Sequence, residues 1–358
     1  MKKLVINGAF LAEPVTGVQR YAGETLACLD RRLSDVPVEI AVPGDLPENA
    51  IPRYRNIPAV RLGNTGRSIR WWEQRELGKY LKEKRTFGIH LCNTFPLSWP
   101  RGLIVIHDIV YKTREPLLAP GPDKKEVVYR RLLYKKAFEE ADELATVSCF
   151  TRREILNCYN PKNPRITIAG NGWQHFLKVV PDETVFTRNS RIIPGNYFLY
   201  CGSLSKYKNI PWVVQNARLH PELWYVISGG NFGETVLGQD LPNVILPGRV
   251  SDGQMKALMQ HCRAFLFPSK YEGFGIPPME ALSCGARIIV SDIPVMHEIY
   301  GQTALYVDPD SPNYDLEDML KVSTAPADNV LMHYSWDKTA AALSRPIHRL
   351  ADKLRILG

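Results

Sequence analysis

Residues 265–294 read FLFPSKYEGFGIPPMEALSCGARIIVSDIP. Ala264 to Phe267 is a short apolar run with the look of a buried strand. Gly273-Phe274-Gly275-Ile276 is a glycine loop, and Pro277 and Pro278 follow it. Proline is favoured in a first helical turn, where its missing N–H costs nothing. A helix is therefore expected over Met279 to Cys284, stopping at Gly285, with a second buried strand from Arg287 to Val290. The order is strand, glycine loop, helix, strand, as in an α/β parallel sheet.

This order has a chemical consequence. Free N–H groups at a helix start beside a glycine loop attract anions. In open α/β sheets ligands sit at the carboxyl ends of strands, where this loop lies. Two carboxylates, Glu272 and Glu280, flank the loop with seven residues between them. Carboxylates repel phosphate but accept hydrogen bonds from hydroxyls. A ligand with phosphates at one point and sugar hydroxyls on either side, a nucleotide sugar, satisfies both demands.

YEGFGIPPMEAL, with PS before it and GARIIVSD after it, resembles the Glu-x7-Glu signature of the family 4 (group 1) retaining glycosyltransferases. The resemblance implies the GT-B fold: α/β, two Rossmann-like domains with parallel sheets facing a central cleft. It further implies that Glu280 holds ribose hydroxyls and Glu272 the donor sugar. Backbone N–H groups of Phe274, Gly275 and Ile276, with Gly273 in the same loop, would face sugar and phosphate.

Composition sets the bounds. A chain of 358 residues has room for two domains. Its seven cysteines are scattered and show no CxxC spacing, so neither a zinc site nor a disulfide framework is expected. The start, MKKLVINGAF, is broken by Asn7 and Gly8 and reads as a first strand rather than a signal peptide. No run approaches the roughly 18 apolar residues of a spanning helix. A cytoplasmic protein, free or held at the inner face of the cytoplasmic membrane, is expected. Net charge is +8, and residues 1–180 carry 29 Lys+Arg against 19 Asp+Glu. The first half thus expects an anionic partner. It has no nucleic-acid motif, so an anionic membrane surface or a lipid-diphosphate acceptor fits better, with a solvated basic surface as the alternative.

Along the first half, Gly17 lies between the first strand and a helix, where backbone can approach phosphate. TGVQRY, residues 16–21, is similar to the family's first phosphate-facing loop. Residues 67–85, RSIRWWEQRELGKYLKEKR, form a helix that suits either structural packing or a membrane surface, with Arg67, Arg70, Trp71 and Trp72 as contacts. Lys124 to Glu140 is a second basic helix. A strand from Leu103 to Ile106 delivers His107, and VIHD with Arg114-Glu115-Pro116 resembles the family's acceptor-domain histidine motif. Thr151 and Glu154 are spaced like a capping box. Asn171-Gly172 closes the domain.

The linker is placed at 180–196, giving an acceptor-binding domain over 1–180 and a donor-binding domain over 181–335. A last helix, about 336–356, would pack back on the first domain. After a strand at Tyr197 to Cys201, Ser203 and Lys208 lie in a segment similar to the family's phosphate loop. Lysine supplies a point charge there. The family's arginine before that lysine is missing, and Lys206 is a candidate helper. Gly248 and Val250 match the loop that holds the base. Asp308-Pro309-Asp310 is the one Asp-x-Asp and reads as a turn, so no metal site is expected.

The expectation is a retaining hexosyltransferase needing no cofactor beyond its nucleoside-diphosphate-sugar substrate, with GDP-mannose the first candidate and a glycan or lipid-linked oligosaccharide as acceptor. Catalysis would fall to His107, Glu272 and Lys208. A GT-B sugar-nucleotide epimerase, or a degenerate assembly partner, are the alternatives.

Overall fold

A computed structural model of the protein describes residues 2–114, 124–230 and 241–356. The chain forms two units, and each has its own parallel sheet. The first runs to Thr113, resumes through Gly172, and takes in the chain end from Ser335; the second spans Trp173–Tyr334 and includes Arg114. The chain thus enters the second unit before the linker expected at 180–196. The segment is tied there because Lys256 Nζ donates to the carbonyls of Phe176 and Val179, each at 2.8 Å.

The first sheet contains β1 (Leu4–Asn7), β2 (Val38–Pro43), β3 (Ala59–Leu62), β4 (Gly88–His90), β5 (Gly102–Ile106), β6 (Glu143–Thr146) and β7 (Ile166–Ile168), in the order β3-β2-β1-β4-β5-β6-β7. Every residue of β5 is buried, as its unbroken apolar run requires in a sheet covered on both faces. Gly102, at φ +121°, is pressed against β4: a Cβ there would sit 1.9 Å from the Gly88 carbonyl oxygen. The second sheet contains β8 (Phe198–Gly202), β9 (Tyr225–Gly229), β10 (Val244–Gly248), β11 (Ala264–Phe267), β12 (Ile288–Ser291) and β13 (Leu305–Val307), in the order β10-β9-β8-β11-β12-β13. In each sheet the order reverses beside the first strand, between β1 and β4 and between β8 and β11. Connections leave such a point in opposite directions and open a crevice at the strand ends.

Helix α1 (Gly17–Arg32) follows β1. The basic stretch after β3 is not one regular helix. It comprises α2 (Ile69–Trp72), a π-helical turn (Glu73–Leu77) and α3 (Gly78–Lys84). Trp72 is fully buried and donates Nε1–H to the Leu62 carbonyl at 2.6 Å, and Trp71 packs against the same cluster. Packing therefore claims Trp72, which is withdrawn as a membrane contact. Helix α4 (Lys124–Glu140) comes next. The following helix, α5 (Cys149–Cys158), is capped by Ser148, whose Oγ accepts from Thr151 N at 3.1 Å. The expected Thr151–Glu154 box is thus displaced by one helical turn: Thr151 is already inside the helix.

The second unit holds α6 (Ile210–Leu219), α7 (Asp252–His261), α8 (Ile276–Ser283) and α9 (Pro294–Tyr300). The chain then returns to the first unit as α10 (Trp336–Ile356). Arg349 clamps Glu143 with two hydrogen bonds of 2.8 and 2.7 Å, and Thr339 Oγ1 donates to the Gly170 carbonyl. None of the described helices is long and apolar enough to cross a membrane.

Candidate active site

The quoted stretch folds as β11, the glycine loop, α8 and β12. Helix α8 starts at Ile276, earlier than expected, and takes both prolines into its first turn. Its N-cap, Gly275, has φ +92°, a left-handed conformation that suits a residue without a side chain. A Cβ there would stand 3.1 Å from Met296 Cε and 3.2 Å from Phe267 Cε1. Tyr300 Oη donates to the Gly275 carbonyl and holds the loop from beneath. Phe274 is buried edge-on to Tyr334, 5.1 Å between ring centres.

Glu272 ends this strand connection at the β8–β11 reversal. From the other side of that reversal comes Lys208. Its Nζ donates to Glu272 Oε1 at 2.6 Å, and both side chains are largely buried. The loop carrying Lys208 is fixed by Asn209, which adopts φ +59° and donates from Nδ2 to the carbonyls of Pro268 and Pro309 at 2.9 and 2.7 Å. Tyr200 Oη donates to the Lys208 carbonyl at 3.0 Å. Lys208 Nζ also lies over the rings of Phe267 and Tyr207, at 5.2 and 5.3 Å. Burial alone would lower the Lys208 pKa, but the Glu272 carboxylate and neighbouring Tyr207 hold it above its ordinary value. The ammonium therefore persists across the neutral range.

Glu280, on α8, accepts from His175 Nε2 at 2.8 Å. His175 is buried in a 3₁₀ turn, Gln174–Lys178. An ionised carboxylate only accepts, so Nε2 carries the proton in this pair. No local sequence signal marks His175.

The remaining candidates lie nearby in sequence or in the other unit. Ser203 is exposed, its Oγ 3.2 Å from that of Ser205, and Lys206 is exposed in the same loop. Gly248 ends β10, and its carbonyl accepts from Ser228 Oγ at 3.0 Å. Val250 is half-buried just before Ser251, which caps α7. Asp308 Oδ1 accepts from Asp310 N at 2.8 Å within its turn, and Asp310 is paired with Lys270. Among the described residues no cluster of acidic, His or Cys side chains suits a metal.

In the first unit, Gly17 is the exposed first residue of α1. His107 is buried beyond β5. Its backbone N–H donates to Asn93 Oδ1 at 2.6 Å, and its Nε2 lies 2.8 Å from the Leu91 carbonyl. A carbonyl only accepts, so Nε2 bears the hydrogen and Nδ1 is the ring's acceptor. Burial pushes the His107 pKa down to about 4, against a smaller upward effect of Leu91, and the ring is neutral near pH 7. Glu115 and Pro116 of the histidine motif lie outside the described residues.

Residues 186–323 match the family of glycosyl transferases group 1. The chain carries a group 1 glycosyltransferase domain. This glycosyltransferase is 27% identical, over 86% of its length and 87% of the relative's, to the O-antigen chain mannosyltransferase RfbU of Salmonella typhimurium. Its two parallel-sheet units have GT-B structural neighbours. The sucrose-phosphate synthase of Thermosynechococcus elongatus has a TM-score of 0.72 at 15% identity, over 98% of this chain and 99% of the other. Anabaena HepE, solved with UDP-glucose, has 0.59 at 15%, over 99% of both.

Proposed function

We propose that this glycosyltransferase moves a hexose, with retention of configuration, from a nucleoside-diphosphate sugar to a glycan or lipid-linked oligosaccharide during surface-polysaccharide assembly. GDP-mannose is the first donor to test, on the strength of similarity to an O-antigen mannosyltransferase. The observation that carries the reading is the Lys208–Glu272 pair at the β8–β11 reversal, with His175–Glu280 beside it.

The chemistry follows from these groups. Lys208 moves its positive charge onto the donor diphosphate and stabilises it as it leaves, an electrostatic contribution. Glu272, released from the lysine, accepts from donor-sugar hydroxyls. Glu280 accepts from ribose hydroxyls, and His175 fixes its carboxylate. Ser203, Gly248, Val250 and the loop from Gly273 to Ile276 supply the surrounding donor contacts, and Gly17 a further backbone approach to phosphate. His107 contributes Nδ1 as an acceptor for a hydroxyl of the reacting sugar; a neutral ring with Nε2–H committed cannot act as an acid. The acceptor oxygen bonds to the anomeric carbon on the face that the phosphate oxygen leaves, and its proton passes to that phosphate. No metal takes part in this scheme. The first unit binds the acceptor, the second the donor, and the basic surface of the first unit rests on anionic lipid.

A thermal-shift panel tests the donor assignment, because a ligand of the native state raises its melting temperature. GDP and GDP-mannose should stabilise the protein. No shift with any nucleoside diphosphate would overturn the reading.

A further inference from the structure

The first unit has its own strand-order reversal, between β1 and β4, and a pocket opens there. One wall is basic. Arg70 Nη2 and Arg130 Nε grip opposite oxygens of a single carboxylate, Glu126, at 2.5 and 2.7 Å. Arg70 also stacks over Tyr129, 4.4 Å from its ring centre. Each guanidinium has several N–H donors and spends one on Glu126. Two positive charges share one negative charge, so this wall retains positive charge and uncommitted donors.

The adjoining wall is built to accept and donate without a cation. Glu73 opens the π-helical turn and is 3% exposed. Its Oε1 accepts from Asn7 Nδ2 and Thr94 Oγ1, both at 2.7 Å. Its Oε2 has only a long contact, 3.4 Å, from Gln74 Nε2. Burial raises its pKa against the pull of these hydrogen bonds. Glu13 lines the same pocket. Single π-helical turns within helices often mark functional sites.

The two walls together exclude simple ligands. A bare anion would suit Arg70 and Arg130 but meet Glu13 and Glu73. A neutral sugar would suit the carboxyl wall and leave the guanidiniums unused. We infer that this pocket binds a hexose bearing an anionic substituent, phosphate or carboxylate, with the anion on Arg70 and Arg130 and hydroxyls toward Glu73, Asn7 and Thr94. Calling that hexose the acceptor end rests on the transferase reading; the binding itself does not.

The test uses the full chain with saturating GDP, so that the second unit is occupied. Binding of mannose 1-phosphate, glucuronate, methyl α-mannoside and inorganic phosphate is measured by calorimetry. At least one anionic hexose should bind tenfold or more tighter than both methyl α-mannoside and phosphate. A preference for mannose 1-phosphate would identify a phosphorylated sugar, and for glucuronate a uronic acid. The preference should vanish in R70Q/R130Q, which should keep the wild-type melting shift with GDP. Equal binding of neutral and charged sugars, no binding, or an unchanged preference in the variant would overturn the proposal. Absence of a GDP shift in the wild type would instead count against the donor assignment.

Discussion

Lys208→Met is the most informative perturbation of the proposed site. It removes the ammonium, which lies 2.6 Å from Glu272 and over the rings of Phe267 and Tyr207, and keeps an unbranched side chain in its place. Two effects of different size follow. Stability falls because Glu272 is left as a largely buried carboxylate without its cation; breaking a buried pair costs about 3–5 kcal/mol, and the partial exposure here places the cost at or below the lower end. Catalysis falls because charge developing on the leaving diphosphate loses its counter-charge. Removing one such group costs roughly 10²–10³ in kcat, or about 2.7–4 kcal/mol. The double variant K208M/E272Q separates the effects: it removes the orphaned charge and should recover much of the melting temperature without recovering kcat. Steady-state release of nucleotide from GDP-mannose, with melting curves for each variant, supplies both readouts. A K208M enzyme within about threefold of wild-type kcat would refute the electrostatic role. Recovery of kcat along with stability in the double variant would show that Lys208 serves only to neutralise Glu272.

Other expectations are as direct. Glu280→Ala should weaken GDP binding by about 1.5–3 kcal/mol in calorimetry, the value of a charge-assisted hydrogen bond; unchanged affinity would remove Glu280 from the site. His107 titrates near 6.5 when unfolded and about 4 when folded, so the unfolded chain binds more protons between these values and stability falls as pH drops through the window. Between pH 7 and 5 the wild type should lose about 2 kcal/mol more than H107Q in urea unfolding, and parallel losses would exclude this account. Finally, Val128 and Leu132 are exposed on α4 beside exposed Lys124, Lys125 and Lys135. The protein should bind anionic vesicles better than neutral ones and be released by salt, since each Lys near such a surface contributes about 1 kcal/mol. Equal, salt-insensitive binding to both would remove the membrane contact.

Much of the second unit was legible because its signals are local. Apolar runs, a glycine loop and paired prolines define β11, α8 and β12 within thirty or so residues, and the strand ends place Glu272 and Lys208 on one edge. His175 was not legible. It lies 105 residues from Glu280 in a short 3₁₀ turn, and only tertiary packing brings the two within 2.8 Å. The π-helical turn at Glu73–Leu77 was hidden because EQREL has ordinary helical composition. The burial of Trp72 stayed open for a related reason: periodicity around Trp71 and Trp72 does not say which indole the sheet will cover. At Ser148, the hydroxyl competed with Thr151 as a cap, and the earlier residue won because it stands directly at the end of the strand connection.

The central claim is transfer with retention from a nucleotide sugar without a metal. It is tested most directly by following slow hydrolysis of GDP-α-mannose by NMR in EDTA, with water as acceptor. The account predicts that α-mannose appears first and mutarotates only later, and that K208M slows its release by roughly 10²–10³-fold. First appearance of β-mannose, or hydrolysis that requires added magnesium or manganese, would contradict it.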